Sequence, residues 1–295
     1  MTHPSSDDPE LADVPADHPD HVPYPKRDLS YANTFTNPWK ANTIRVIEWL
    51  TAKYHLLRLI RKFERYGVAF GQGFWAQALD TMGIELQTPP EQIARIPKTG
   101  PVIFVCNHPH GLVDGMVLAE LIGRARTDYK ILTRSLLTGV HAIDQFMIPV
   151  PFPHEEDALK QNLEMRRKAM EHLGQGGSIA LFPSGVVATS ETWFGDVIEA
   201  DWNPFTAKMI QRSGATVVPI YFQGQNSRWY QIANKLSATL RQGLLLYEVK
   251  HALYKPQAPI VGEPFSAEDI KHWSANPRGF VAWLREQTIG LKGSS

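Results

Sequence analysis

Gly100–Gly115 reads GPVIFVCNHPHGLVDG, and this stretch sets the fold class. An unbroken apolar run ending at Cys106 forms a short buried strand, a polar loop follows, and a helix starts near Leu112. The loop brings His108, His110 and Asp114 within seven residues of one another. Reactive groups of α/β proteins gather at such strand-to-helix exits.

Further along the chain, the same strand signature recurs at Tyr129–Thr133, Gln145–Val150, Ser178–Phe182 and Thr216–Phe222. Helical stretches are expected at Leu112–Arg124, Glu155–Leu173 and Asn203–Arg212. The second of these places Leu159, Leu163, Met170 and Leu173 on one stripe and stops at Gly174. Strands alternating with helices imply an α/β domain with a mixed, mostly parallel sheet flanked by helices. No internal repeat is visible.

Towards the N-terminus the pattern changes. Residues 1–37 are rich in Pro, Asp and His without apolar periodicity and read as a flexible acidic tail. From Trp39 to Tyr66, Ile47, Leu50, Tyr54, Leu57 and Ile60 recur at helical steps, with Lys53, Arg58, Arg61, Lys62 and Arg65 between them. Gly67 ends this helix, and a second, nearly uncharged one spans Phe70–Met82. The expected division is a tail (1–37), an amphipathic helical pair on a membrane surface (38–83) and an α/β domain (84–295).

Composition narrows the setting. The 43% hydrophobic and 20% charged content is that of a folded protein, while 8 Trp and 13 Phe are many for a purely solvated one. Formal net charge is zero, yet the first 20 residues hold six acids and no Lys or Arg. The rest has 30 basic against 24 acidic residues, a net of +6, suited to an anionic surface or partner; no nucleic-acid partner is expected. A single cysteine, Cys106, excludes an internal disulfide. With no secretory signal and no run of roughly 18 apolar residues, membrane contact is expected to be peripheral, on the cytoplasmic face of the inner membrane.

The chemistry of the loop comes from its residue types. A hydroxyl is a poor nucleophile near pH 7 until a base removes its proton, and neutral imidazole is the natural base. A carboxylate on the other ring nitrogen fixes the tautomer and stabilises the imidazolium. Asp114, one turn into the helix, can fold back to do this for His108. His110 is expected to be a spacer or a local hydrogen-bonding group. A His-x-His metal pair would need downstream ligands at recognisable spacing, and His141, His154 and His172 do not provide it; no metal and no cofactor are expected. Ser184 lacks the preceding glycine of a nucleophile elbow, and Cys106 is best read as a packed small apolar residue.

The motif NHPHGLVDG resembles the first block of the glycerolipid acyltransferase superfamily, in which Asn-His is followed by Asp. Leu181–Gly185 (LFPSG) resembles the third block, Val217–Ile220 (VVPI) the fourth, and Arg134-Ser-Leu-Leu the opening of the second. Five residues between His108 and Asp114, rather than four, and Gly224–Tyr230 (GQNSRWY), are similar to a bacterial subgroup that includes hemolysin-labelled proteins and ornithine-lipid O-acyltransferases. The resemblance covers residues 38–265. It implies that His108 is the base and Asp114 its orienting partner. It also implies that Asn107, Gly111, Arg134, Phe182, Pro183, Ser184, Gly185, Pro219, Asn226 and Arg228 surround the substrates. The donor would be a thioester on acyl carrier protein or coenzyme A, and the acceptor a lyso-lipid.

Departures from the family pattern bear on the acceptor. Where the third block usually has Glu and Arg, this chain has Ser184 and Val187, and Pro151–Phe152 stand where a second-block arginine would be. Without these guanidiniums the strongest phosphate grips are absent. The expectation is therefore a lyso-aminolipid of the lyso-ornithine type. A 1-acylglycerol-3-phosphate acyltransferase and a lipid-binding or membrane-perturbing protein without turnover are the alternatives.

Overall fold

The structure, a computed structural model, describes residues 24, 29–134, 140–151, 157–193 and 195–293. A short 3-10 turn at Tyr31–Thr34 precedes α1 (Pro38–Glu48), a π-helical turn (Trp49–Lys53), α2 (Tyr54–Arg65), α3 (Gly73–Met82) and the single turn α4 (Pro90–Ile93). Then come β1 (Val102–Cys106), α5 (Leu112–Gly123), β2 (Tyr129–Thr133), β3 (Met147–Pro149), α6 (Ala158–Gly174) and β4 (Ser178–Leu181). A small hairpin, β5 (Thr189–Ser190) and β6 (Val197–Ile198), leads to α7 (Pro204–Ser213) and β7 (Thr216–Tyr221). The chain closes with α8 (Arg228–Leu236), α9 (Ala238–Gly243), α10 (Leu245–Ala252), β8 (Ile260–Val261) and α11 (Pro277–Gly290).

Six strands form one sheet in the order β3-β2-β4-β1-β7-β8, parallel throughout except for antiparallel β8. The strand read first in the sequence lies inside it, with Phe104 opposite both Ala180 and Val218. Because side chains alternate across a strand, Val102, Phe104 and Cys106 join a core with α3, α5 and the N-terminal helices. Ile103 and Val105 join a second core with α6, α7 and α11. Helices thus cover both faces, which is why the central strands read as unbroken apolar runs rather than alternating ones.

The tail boundary moves. His21–Pro23 and everything before them lie outside the described residues, but 29–35 pack onto the domain. Leu29, Tyr31 and Ala32 are buried, and buried Glu48 accepts the Ser30 hydroxyl (2.6 Å) and the Tyr31 N–H (2.8 Å). Polar Glu48 sits at a position that periodicity alone assigns to an apolar contact.

The N-terminal helices also differ in face from the expected stripe. Ala41, Ile44, Ala52, Leu56 and Leu57 turn inward, whereas Leu50 and Tyr54 are exposed: at about 100° per residue, Leu50 stands about 200° round the helix from buried Glu48. Trp39 (82% exposed), Val46, Trp49 and Leu50 (81%) therefore line the outer surface. The second helix begins at Gly73, not Phe70, and it is a core element: Trp75 is fully buried and Phe74, Ala78, Leu79 and Met82 pack inward. On α6, Met165, Ala169 and Leu173 form the buried stripe, and the expected members Leu159 and Leu163 are exposed.

Candidate active site

The site forms where β1 gives way to α5. Asn107 fixes the exit: its Nδ2–H donates to the Phe222 carbonyl (2.9 Å) and its Oδ1 accepts the Phe222 N–H (2.7 Å). This buried side chain clamps the ends of two adjacent strands, so its amide is spent on backbone rather than on a ligand. Gly111 then turns the chain with φ 80°, ψ −123°, a conformation that a side chain strongly disfavours. That turn lets Asp114 reach back over the loop from the first turn of α5.

Asp114 is fully buried and collects four donors. Its Oδ2 accepts the N–H groups of His110 (2.8 Å) and Gly111 (3.0 Å) and lies 3.0 Å from His108 Nδ1. Its Oδ1 lies 3.1 Å from His110 Nδ1. Burial by itself raises the carboxyl pKa. Hydrogen bonds and charge from His108 and His110 overcome that and bring it down from 3.8 to about 2. An ionised carboxylate only accepts hydrogen bonds, so both Nδ1 atoms face it as donors and each Nε2 is turned away from the carboxylate. Of the two roles expected for His110, spacer or local hydrogen-bonding group, the structure shows the second: it shares the carboxylate.

The His108 peptide is held from both sides by residues that sequence motifs do not reveal. Its N–H donates to Glu199 Oε2 (3.0 Å), and its carbonyl accepts the Ala188 N–H (2.8 Å). Both come from the ends of the β5–β6 hairpin segment. Glu199 also accepts the Trp202 Nε1–H (3.1 Å), and Arg285 from α11 donates to its carbonyl. Burial pushes the Glu199 carboxyl above its ordinary range, only partly offset by the His108 N–H and other donors. The His108 ring stacks on Phe182, with centroids 4.0 Å apart and planes inclined by 22°. That face-on wall sets the direction in which Nε2 points.

His108 opens into a cleft of about 450 Å³ along the C-terminal edge of the parallel strands. Of the expected site residues, His108, Gly111, Arg134, Phe182, Pro183 and Gly185 line it. Asn107, Asp114, Ser184, Pro219, Asn226 and Arg228 do not. Asp114 lies behind His108; Ser184 closes its own turn through the Val186 carbonyl (2.9 Å). Pro219 is a buried sheet residue paired with Val105, and buried Asn226 lies off the cleft. Arg228 donates to the Gly195 carbonyl (2.9 Å). Gly115, one turn along α5, leaves open space where a Cβ would stand, so it widens the cleft rather than permitting a close contact.

The expectation of an uncharged wall needs correction. Val187 does line the cleft and packs against Gly111, but Arg166 of α6 and Arg241 of α9 line it too. Arg166 is exposed and lies 4.6 Å above the Phe205 ring. Phe152 falls outside the described residues. Cys106 is buried, and burial, with the nearby charges of Asp114 and Glu199, raises its thiol pKa well above the ordinary value, so it is a packing residue. Among the described residues, no group of three or more His, Cys, Asp and Glu is arranged to hold a metal.

The model of a family described as acyltransferase matches residues 49–257. Two lyso-glycine lipid O-acyltransferases are similar in sequence. The protein from Phocaeicola vulgatus is 26% identical over 145 residues, 48% of this chain and 49% of the relative. The one from Bacteroides thetaiotaomicron is 28% identical over 149 residues, 50% and 52% of the respective lengths. The chain spans about half the length of the curated relatives it matches. The solved 1-acyl-sn-glycerophosphate acyltransferase PlsC from Thermotoga maritima aligns over 89% of this chain and 86% of its own, with a TM-score of 0.47 and 16% identity.

Proposed function

The chain belongs to the acyltransferase family, and on that basis we propose that it moves a fatty acyl group from a thioester to the hydroxyl of a lyso-aminolipid. The observation that carries the reading is a single arrangement: His108, held through Nδ1 by a buried anionic carboxylate, with its ring standing in an open cleft. In this reading Nε2 takes the proton from the acceptor hydroxyl as the oxygen attacks the thioester carbonyl. The imidazolium that forms is stabilised by Asp114, and the proton leaves with the departing thiolate. General-base assistance of this kind accelerates a reaction by about 10²–10⁴. The thioester is already activated, so no covalent enzyme intermediate is needed. The N–H groups of His108, His110 and Gly111 are engaged by carboxylates, so the oxyanion is left to other donors.

The amino-acid class of acceptor is supported by Val187 in the cleft wall and by relatives named for a lyso-glycine lipid. A glycine headgroup and an ornithine headgroup share the amide-linked 3-hydroxyacyl chain that presents the hydroxyl. Lysophosphatidic acid is the second reading, favoured by Arg134, Arg166 and Arg241 along the same cleft. The donor is an acyl carrier protein or coenzyme A thioester.

The protein works, on this reading, on the cytoplasmic face of the inner membrane. No helix among the described residues is long and apolar enough to cross a membrane. The surface contact is assigned to α1 and the π turn, where Trp39, Val46, Trp49 and Leu50 are exposed, with Arg58, Arg61, Lys62 and Arg65 exposed on α2 beyond them. Purified protein offered acyl thioester with lyso-glycine lipid, lyso-ornithine lipid or lysophosphatidic acid tests the assignment. Faster thiol release with either aminolipid is expected, and equal or greater turnover of the phosphate acceptor overturns the choice.

A further inference from the structure

Arg241 stands in the cleft with an incomplete set of partners. It is half-buried, its Nη1–H donates to Asn234 Oδ1 (2.8 Å), and among the described residues it pairs with no carboxylate. The side chains that share this end of the cleft, Tyr31, Tyr230, Gln242 and Leu245, are neutral. A guanidinium carries five N–H donors in a planar fork, and holding it half-buried beside one neutral amide leaves most of that capacity to water or to a ligand in the cleft. A solvated arginine has no need of this position. Arg166, exposed and stacked on Phe205, is the contrasting case in the same cleft.

The location adds a direction. Helix α9 packs closely on α1: a Cβ on Gly243 would stand 3.0 Å from Ile47. The Tyr31 segment is tied to α1 by the hydrogen bonds to Glu48. Arg241 therefore sits at the end of the cleft beneath the helix and π turn that expose Trp39, Trp49 and Leu50. A lipid acceptor drawn from a surface on that side meets Arg241 with its polar head.

We propose that Arg241 is the carboxylate subsite for the acceptor's headgroup, gripping a single carboxylate while the hydroxyl of the same molecule is presented to His108. This rests on the acyl-transfer reading above and deepens it. One guanidinium among neutral neighbours matches one negative charge, whereas a phosphomonoester brings close to two. The other anion that enters such a cleft, a phosphate on the donor's carrier arm, is an outcome that the test separates.

The paired probes are an N-(3-hydroxyacyl)glycine and its methyl ester, which differ only in the carboxylate. Their binding to full-length protein is measured by calorimetry and their turnover by thiol release from an acyl thioester. Wild-type protein is expected to bind the acid about ten- to a hundredfold more tightly than the ester. Arg241→Gln should reduce that ratio to near one by weakening the acid alone, and Arg241→Lys should keep part of it. A wild-type ratio near one overturns the proposal. So does equal weakening of both probes in folded Arg241→Lys, or a rise confined to the KM of the thioester donor. Binding is read without turnover, so a wild-type protein that prefers the acid but transfers no acyl group counts against the enzymatic reading and not against the subsite.

Discussion

Replacing Asp114 by Asn removes a charge while keeping the shape, and the geometry dictates the consequences. The carboxylate accepts from four donors at 2.8–3.1 Å: two ring Nδ1–H groups and the N–H groups of His110 and Gly111. An amide offers one accepting oxygen and turns its NH2 towards the remaining donors. For His108 to avoid that clash, Nδ1 must give up its proton, which places the proton on Nε2 and removes the base. The electrostatic part can be gauged from the carboxyl itself. Its fall from 3.8 to about 2 is on the order of 2 kcal/mol, or some tens of fold. Adding the wrong tautomer brings the expected loss in kcat to about 10³–10⁴. Stability should fall as well, by about 1–3 kcal/mol for each buried donor left unpaired. The assay is thiol release at saturating acceptor, with a melting curve alongside. Activity within tenfold of wild type in a folded Asp114→Asn protein would refute this role, because Asp114 would then be only a loop staple.

Removing the His110 ring should be milder. Oδ1 of Asp114 loses one hydrogen bond but Oδ2 keeps the His108 contact, so turnover should drop about tenfold, consistent with one charge-assisted bond; a loss matching that of Asp114→Asn would make the two imidazoles equivalent. Glu199 separates support from charge. Its folded pKa lies above the ordinary value near 4.5, so the carboxyl loses stability relative to the unfolded chain as pH rises through that range. Glu199→Gln keeps an oxygen for the His108 N–H but turns its NH2 towards the Trp202 Nε1–H, so its stability relative to wild type should be best at pH 7, where burial penalises the charged Glu199, and should worsen below about pH 4. Glu199→Ala should be destabilised at pH 7, and melting temperatures across pH check both. At the surface, reversing Arg58, Arg61, Lys62 and Arg65 to Glu should weaken binding to anionic vesicles by about 1 kcal/mol per charge. Unchanged vesicle sedimentation would exclude the helix from membrane binding.

The parts of the fold that were legible in the sequence are those governed by short-range pattern. The five parallel strands end within two residues of where apolar runs and punctuation place them, and the His108–Asp114 contact comes from loop spacing and a helix start at Leu112. What escaped depends on long-range packing or on one irregular turn. The inward face of α1 is set by Ala41, Ile44 and Glu48, which leaves Leu50 outside, and no periodicity count contains the extra residue of the π turn at Trp49–Lys53. Ser30 and Tyr31 are anchored by Glu48, an acid that composition assigns to solvent. Glu199 meets His108 across 91 residues of chain, and Arg166 and Arg241 reach the cleft only through sheet topology. Motif logic noticed the arginine missing at Val187 but had no way to see cations supplied by other helices. The buried amide of Asn107 is a related case: the motif marks it as a substrate residue, whereas its hydrogen bonds hold two strands together.

At the centre of the proposed mechanism, His108 removes a proton from an acceptor hydroxyl attacking a thioester. A comparison of wild type and His108→Ala with an acyl thioester and a lyso-aminolipid probes that step, with the diacylated product followed by mass spectrometry and thiol release together. Wild type should give stoichiometric product and thiol, and a variant that melts as wild type does should lose at least about a hundredfold in rate. Product formation by His108→Ala at near the wild-type rate would show that the proton leaves by another route.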